Sequence, residues 1–468
     1  MKGLVLTYLV TAIASVGALR YPLLGLYAYV GFAVLRPQFI FGWAGDISYI
    51  SLIVGTAMLV GWAINGFGSW RFGRSRPAMI ALLMFVIWYA LAALAALDPS
   101  RSWQSIVVLS KVVLPVLVGA TMIREEKHWR RLLWTIVLCQ GYVGFEMNLD
   151  YLFKGFNTAN MGFGGMDNNF LALELVTGLG PAVALAIASR TWIERGAAAL
   201  AAALILHTTL LTFSRGGFVG MLAVAATAFL IMPKRPKHMF PVIGVVLLAV
   251  WLTGPELAER FGSTFASAEE RDASAESRVD LWRDCLVVIG QYPILGVGPA
   301  NWVTIVAQFG WPAGKSAHSV WMEMAAETGA PGAMLLLSFF GLAAWRLWPL
   351  ARGRAPAVDP HEQALAAGTV LAVVGFVVSG QFVSAPTLEM PYYIVTAGIG
   401  MLKVRALRAK AAVKAPAVPH RLAVVSPPAG ARSAGTVSVR FAGRPLGDRP
   451  VQPVRTARAD LKGPPLRS

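Results

Sequence analysis

Long runs of apolar residues, separated by short polar segments, recur along most of the 468-residue chain. A helix needs about 20 mostly apolar residues to cross the hydrocarbon core of a bilayer, and most of these runs approach that length. The pattern therefore predicts an all-α, multi-pass membrane protein with thirteen transmembrane helices, or twelve if the first two form a hairpin that crosses incompletely. The predicted spans are 3–19, 21–35, 47–66, 78–97, 105–123, 131–149, 169–188, 197–213, 217–232, 239–253, 319–345, 364–384 and 391–403.

Lys and Arg collect in alternate loops, and the positive-inside bias places such loops in the cytoplasm. The long segment 254–318 then lies on the outer face, and the C-terminal tail lies in the cytoplasm. The predicted regions are N-terminal spans in 1–150, central spans with a Ser-Arg-Gly turn in 151–253, the long outer loop in 254–318, C-terminal spans in 319–403 and a disordered basic tail in 404–468.

Composition and charge agree with a membrane protein. The chain is 56% apolar and 14% charged, whereas soluble domains are about 25% charged. The net charge of +17 alone suggests nucleic-acid binding, but residues 403–468 hold 14 Lys and Arg against two acids. We therefore predict no nucleic-acid partner and a tail that meets anionic lipid headgroups. Cys139 and Cys285 are too far apart for a disulfide framework, and the sequence carries no motif for a metal or cofactor.

Two residues at the ends of spans are candidates for chemistry, because charged groups are costly in a bilayer. Arg215 lies in a very short outer turn between two apolar runs, where its fork of donors can bind phosphate. The alternative for Arg215 is an interfacial anchor that extends to lipid headgroups. His318 is the single His predicted on the outer face, directly before an apolar helix. It is a candidate general base, or alternatively a helix cap.

Four further residues are weaker candidates. Arg278 precedes an amphipathic helix at 280–289, which is suited to a membrane surface; it supplies a second anion contact or forms a surface ion pair. Asp167 and Asn169 open a span and predict first a helix N-cap, second a contact to a sugar hydroxyl. Glu327 lies on the helix that follows the candidate base, where it either orients that helix or binds an acceptor.

Several short motifs occur in the same order as in the O-antigen ligase family, which this chain resembles over about residues 150–345. Asp167–Leu173 also resembles the branch called exosortase-associated O-glycosylation ligases. The other motifs are Phe213–Gly217, Ser277–Trp282, Tyr292–Gly298, Ala317–Ser319 and Glu327–Gly329.

The resemblance implies a GT-C-like glycosyltransferase of the bacterial inner membrane with its active site on the periplasmic side. Such enzymes move a glycan from undecaprenyl diphosphate to lipid A core, protein or another surface acceptor. In the family, the arginines that match Arg215 and Arg278 bind the lipid-linked diphosphate. The histidine that matches His318 activates the acceptor hydroxyl.

Three other functions remain open at this stage. Polymerases that join repeat units share these motifs, so the motifs alone do not identify the acceptor. A transporter of lipid-linked glycans also needs many spans and intramembrane charges, but transporters commonly have repeated halves, and this chain has no visible repeat. A non-catalytic scaffold leaves the outer Arg and His residues without a purpose. The sequence therefore favours a ligase first, a polymerase second and a transporter third.

Overall fold

The computed structural model describes residues 2–41, 47, 49–231, 243–244, 247, 251, 273–385 and 388–414. The predicted span 239–253 falls mostly outside these residues, as does the tail from 415 onward. Sixteen α-helices lie within the described part of the chain. They are α1 (Lys2–Arg20), α2 (Pro22–Leu35), α3 (Pro37–Ile40), α4 (Tyr49–Ile64), α5 (Arg76–Leu94), α6 (Pro99–Met122), α7 (Glu126–Lys154), α8 (Thr158–Met161), α9 (Asn168–Ala188), α10 (Trp192–Leu211), α11 (Arg215–Ile231), α12 (Ala273–Gln291), α13 (Trp302–Ile305), α14 (Val320–Ala351), α15 (Pro360–Ser379) and α16 (Glu389–Lys414).

The prediction of an all-α membrane protein is confirmed. Each predicted span except 239–253 coincides with one of these helices. Seven helices in the described residues are long and apolar enough to cross a membrane, while α2, α4 and α11 are apolar but shorter. At about 1.5 Å per residue, the 14 residues of α2 extend about 21 Å, less than the roughly 30 Å of a hydrocarbon core. The seven helices are Gly3–Arg20, Gly73–Leu94, Pro99–Met122, Asn168–Ala188, Trp192–Leu211, Val320–Ala351 and Pro360–Phe382.

Polar side chains fix where several helices begin. Asp98 accepts hydrogen bonds from the backbone at the start of α6, Thr191 caps α10 and Asp359 caps α15. Each cap satisfies a backbone N–H that has no partner within its helix. Gly155, with φ +67, ends α7 in the left-handed conformation that glycine adopts readily.

Aromatic side chains fill the space between α14, α15 and α16. Phe340 packs against Phe376 with ring centroids 4.8 Å apart and against Tyr392 at 5.0 Å. Helix α15 also approaches α9 closely at Gly180 and Gly368, where a Cβ on either residue would overlap the neighbouring helix. Small residues allow such close helix packing where lipid provides no hydrophobic drive.

Helix α14 is interrupted at Gly329, where φ is +70 and ψ is 172. Pro331 has no N–H to bond to the Glu327 carbonyl, and that carbonyl instead accepts from Gly298 N at 2.9 Å. Val297 N donates to the Ala326 carbonyl at 3.0 Å in the same way. Because of the interruption, the carbonyls of Ala326 and Glu327 accept hydrogen bonds from the loop after α12.

The predicted amphipathic helix packs one face against protein. In α12 the buried stripe consists of Leu281, Cys285 and Val288, which contact Trp302 and Val306 of the following loop. The apolar pattern therefore identified the buried face of α12, and its placement at a membrane surface stays a prediction. Residues 292–317 supply enough apolar side chains to cover this stripe.

Candidate functional site

The turn that carries Arg215 is held by Ser214. The Ser214 hydroxyl oxygen accepts from Gly217 N at 3.2 Å, which caps the start of α11. Phe213 has φ +48, a left-handed conformation that is uncommon for a bulky residue. Arg215 is the first residue of α11 and is half-buried.

The Asp-Asn-Asn motif at the start of α9 contacts this turn. Asp167 accepts from Phe170 N at 2.7 Å, so the predicted N-cap is confirmed. Asn169 Oδ1 accepts from the Ser214 hydroxyl at 2.8 Å, and Asn168 Nδ2 donates to the Thr212 carbonyl at 3.0 Å. Asn169 therefore positions the turn that begins α11.

His318 lies just before α14, is half-buried and has φ +50. The residue that caps α14 is Ser319, whose side chain accepts from Met322 N at 3.2 Å. The alternative in which His318 is itself the cap is therefore wrong.

Both backbone groups of Ala317, the residue before His318, form hydrogen bonds with side chains. Ala317 N donates to Glu323 Oε2 at 3.0 Å, and the same carboxylate oxygen accepts a short hydrogen bond from the Ser384 hydroxyl. The Ala317 carbonyl accepts from Trp282 Nε1 at 3.1 Å.

A chain of contacts connects residues that lie close to Arg215, Arg278 and His318 in the sequence. Trp282 follows Arg278 by one helical turn, and its ring lies 6.2 Å from that of Phe382. A Cβ on Gly216 would lie 2.6 Å from Phe382 Cβ, so the start of α11 packs directly on that ring. Arg215, Arg278 and His318 are thus adjacent to one connected set of side chains.

Burial and two nearby positive charges favour the neutral form of His318. Burial lowers the pKa of His318 below its ordinary value, and the positive charges of Arg278 and Lys315 lower that pKa further. The carboxylate of Asp167 opposes these effects. A neutral imidazole next to cationic groups can accept a proton while the arginines face an anion.

Glu327, predicted to orient its helix or bind an acceptor, bonds to the protein's own backbone. Its side chain is buried and accepts from Trp302 N at 3.1 Å. The structure places Glu327 in contact with the loop after α12, where it fixes that loop to α14.

Comparison with known families identifies two matched regions in the chain. Residues 200–337 match the family model described as O-antigen ligase. This region of the chain is O-antigen ligase-like. Residues 1–189 match a family of unknown function (DUF5935). No curated protein sequence matches the chain.

The O-antigen ligase-like region contains Arg215, Arg278, His318 and Glu327. The match supports a membrane function of the ligase or polymerase kind and a glycosyltransferase-like activity. The other two predicted site residues, Asp167 and Asn169, lie in the region matched by the second family model. The hydrogen bond from Ser214 to Asn169 therefore joins the two matched regions.

Two residues of the site carried no signal in the sequence. Phe382 and Ser384 follow α15, outside the O-antigen ligase-like match, and contact Trp282 and Glu323 respectively. One aromatic and one hydroxyl residue at the end of a predicted span are unremarkable in a sequence. Among the described residues, no group of three or more His, Cys, Asp or Glu side chains is arranged to hold a metal ion.

Proposed function

We propose that the protein is a glycosyltransferase of the bacterial inner membrane. It moves a glycan from undecaprenyl diphosphate to an acceptor, either lipid A core, protein or another surface molecule, at the periplasmic face. The observation that carries this proposal is the contact chain from Gly216 through Phe382 and Trp282 to Ala317, whose members lie close to Arg215, Arg278 and His318 in the chain. The Asp-Asn-Asn motif supports placement in the exosortase-associated branch.

The arginines bind the donor. Arg215 and Arg278 face the diphosphate, and their guanidinium groups form charge-assisted hydrogen bonds with its oxygens. These bonds strengthen as negative charge develops on the leaving oxygen, so they stabilise the transition state more than the bound donor. No metal ion is needed for this charge stabilisation.

His318 activates the acceptor. The neutral imidazole takes the proton of the acceptor hydroxyl while the hydroxyl oxygen attacks the anomeric carbon of the glycan. The bond from that carbon to the diphosphate oxygen breaks, and undecaprenyl diphosphate leaves with both electrons. Attack opposite the leaving group inverts the anomeric centre. Asp167, whose charge acts on His318, stabilises the imidazolium that forms.

The experiment that tests this proposal supplies purified protein in proteoliposomes with undecaprenyl-diphosphate glycan and candidate acceptors. A new glycosidic bond to lipid A core or protein, of inverted configuration by NMR, supports the ligase. Chain growth on the lipid carrier alone supports a polymerase instead. Movement of the glycan across the bilayer without a new bond supports a transporter. We expect EDTA to leave the transfer rate unchanged.

A further inference from the structure

Ala317 and His318 form a short backbone segment with unusual geometry. His318 has φ +50, a region in which non-glycine residues are uncommon. Ala317 is fully buried, and both its N–H and its carbonyl are bonded to side chains rather than to neighbouring backbone. The conformation of His318 therefore depends on Glu323 in the first turn of the next helix and on Trp282, which lies 35 residues before Ala317.

We infer that Glu323 and Trp282 are positioning residues that hold His318 at a fixed distance from Arg278. The inference rests on the proposed role of His318 as the base. Trp282 and Arg278 share helix α12, so the bond from the Trp282 indole to the Ala317 carbonyl links the position of the base to that of the cation. The bond from Ala317 N to Glu323 fixes the same segment to the first turn of α14.

Glu323 also connects this segment to α11. Its Oε2 accepts from Ser384 as well as from Ala317, and Ser384 follows Phe382 by two residues. Phe382 packs on both Trp282 and Gly216, next to Arg215. One carboxylate and one indole thus determine how three separate parts of the chain meet. Neither group needs to touch substrate to act in this way.

The test compares variants that keep or remove these bonds. Glu323→Gln retains a carbonyl oxygen for Ala317 N and an amide that can donate to Ser384, whereas Glu323→Ala retains neither. Trp282→Phe keeps an aromatic ring against Phe382 but has no N–H. Trp62→Phe is the matched control, because the Trp62 indole donates at 2.8 Å to Thr121, a residue of the α6 terminus remote in sequence from the site.

We measure kcat and the donor KM for glycan transfer, and separately the rate at which diethyl pyrocarbonate modifies His318 as a function of pH, read by mass spectrometry. Misplacement of a catalytic group by about 1 Å can cost on the order of 100-fold in rate. We expect kcat to fall about 100-fold in Glu323→Ala. The fall should be about 10-fold in Trp282→Phe, because that variant keeps the ring against Phe382. The donor KM should stay unchanged, and Glu323→Gln and Trp62→Phe should match the wild type.

The modification profile separates this inference from the proposed function. Its midpoint should shift in Glu323→Ala, because His318 moves relative to Arg278, Lys315 and Asp167, and it should not shift in Glu323→Gln. If the wild type transfers no sugar but this shift occurs, the proposed function fails and the positioning role stands. If Glu323→Ala transfers sugar at the wild-type rate and its modification profile does not shift, the positioning role is overturned. If Glu323→Ala does not fold, Trp282→Phe decides by the same two measurements.

Discussion

At the scale of single residues, the surroundings of His318 predict how kcat/KM depends on pH. A base acts in its neutral form, so kcat/KM should fall as the pH decreases through the His318 pKa. Burial, Arg278 and Lys315 hold that pKa below its ordinary value, and Asp167 opposes them. The acidic limb of the profile should therefore lie below the usual range for histidine.

Two variants should move this limb in opposite directions. Lys315→Gln removes a positive charge, so the His318 pKa should rise and the limb should move to higher pH. Asp167→Asn removes a negative charge while keeping a side chain that can cap α9, so the limb should move to lower pH. The measurement is kcat/KM from pH 4 to 9 for each protein. A limb that stays in place in both variants would exclude His318 as the titrating base.

Asn169 makes a second prediction at this scale. Asn169→Ala leaves the Ser214 hydroxyl without its acceptor, which should cost about 1–2 kcal/mol of stability and loosen the turn that carries Arg215. Asn65→Ala is the control, because the Asn65 side chain bonds to the Gly61 carbonyl at 2.8 Å at the end of α4. Thermal unfolding and transfer rate are measured for both. Only Asn169→Ala should reduce transfer per folded molecule, and an equal rate for the two would contradict the positioning of Arg215 by α9.

At the scale of elements, the interruption of α14 holds the loop that precedes His318. In Gly329→Ala, the new Cβ would overlap the Ile294 carbonyl in a backbone conformation that only glycine tolerates well. We expect a loss of at least about 2 kcal/mol. Gly341→Ala lies in the same helix in open space and should be neutral or stabilising by up to about 1 kcal/mol. Thermal unfolding in detergent distinguishes these results, and equal stability of the two variants would show that the interruption is not required.

The same helices show what the sequence could and could not predict. The helices were predictable because long apolar runs favour helices, and every predicted span except 239–253 coincides with a described helix. Apolar runs alone did not show which of these helices are too short to cross a membrane, such as α2, α4 and α11. Arg215, Arg278 and His318 were predictable as site candidates because polar residues beside spans are few. The backbone partners of Glu327 were not predictable, since they depend on how a loop 25 residues earlier folds back on α14. Ser384 gave no signal, because its role depends on contact with Glu323.

At the scale of the whole molecule, the account requires that His318 and the start of α10 lie on opposite sides of the membrane. Exposed Ala313 precedes His318, and exposed Gly196 lies in a basic segment. In a Cys139→Ser background, Ala313→Cys in intact spheroplasts should react with a membrane-impermeant maleimide, and Gly196→Cys should react only after lysis. Burial raises the pKa of native Cys285, so it should react little. The reverse labelling pattern would place the site in the cytoplasm.

The central claim is that the two arginines bind the donor and His318 performs the chemistry. Single-turnover transfer with prebound labelled donor measures the two steps separately. Arg215→Ala and Arg278→Ala should weaken donor binding about 10–100-fold. His318→Ala should bind donor normally and transfer about 100–10,000-fold more slowly. Arg283→Ala, an exposed residue of α12 paired with Asp280 at 2.7 Å, should match the wild type. Transfer by His318→Ala at the wild-type rate would contradict the account.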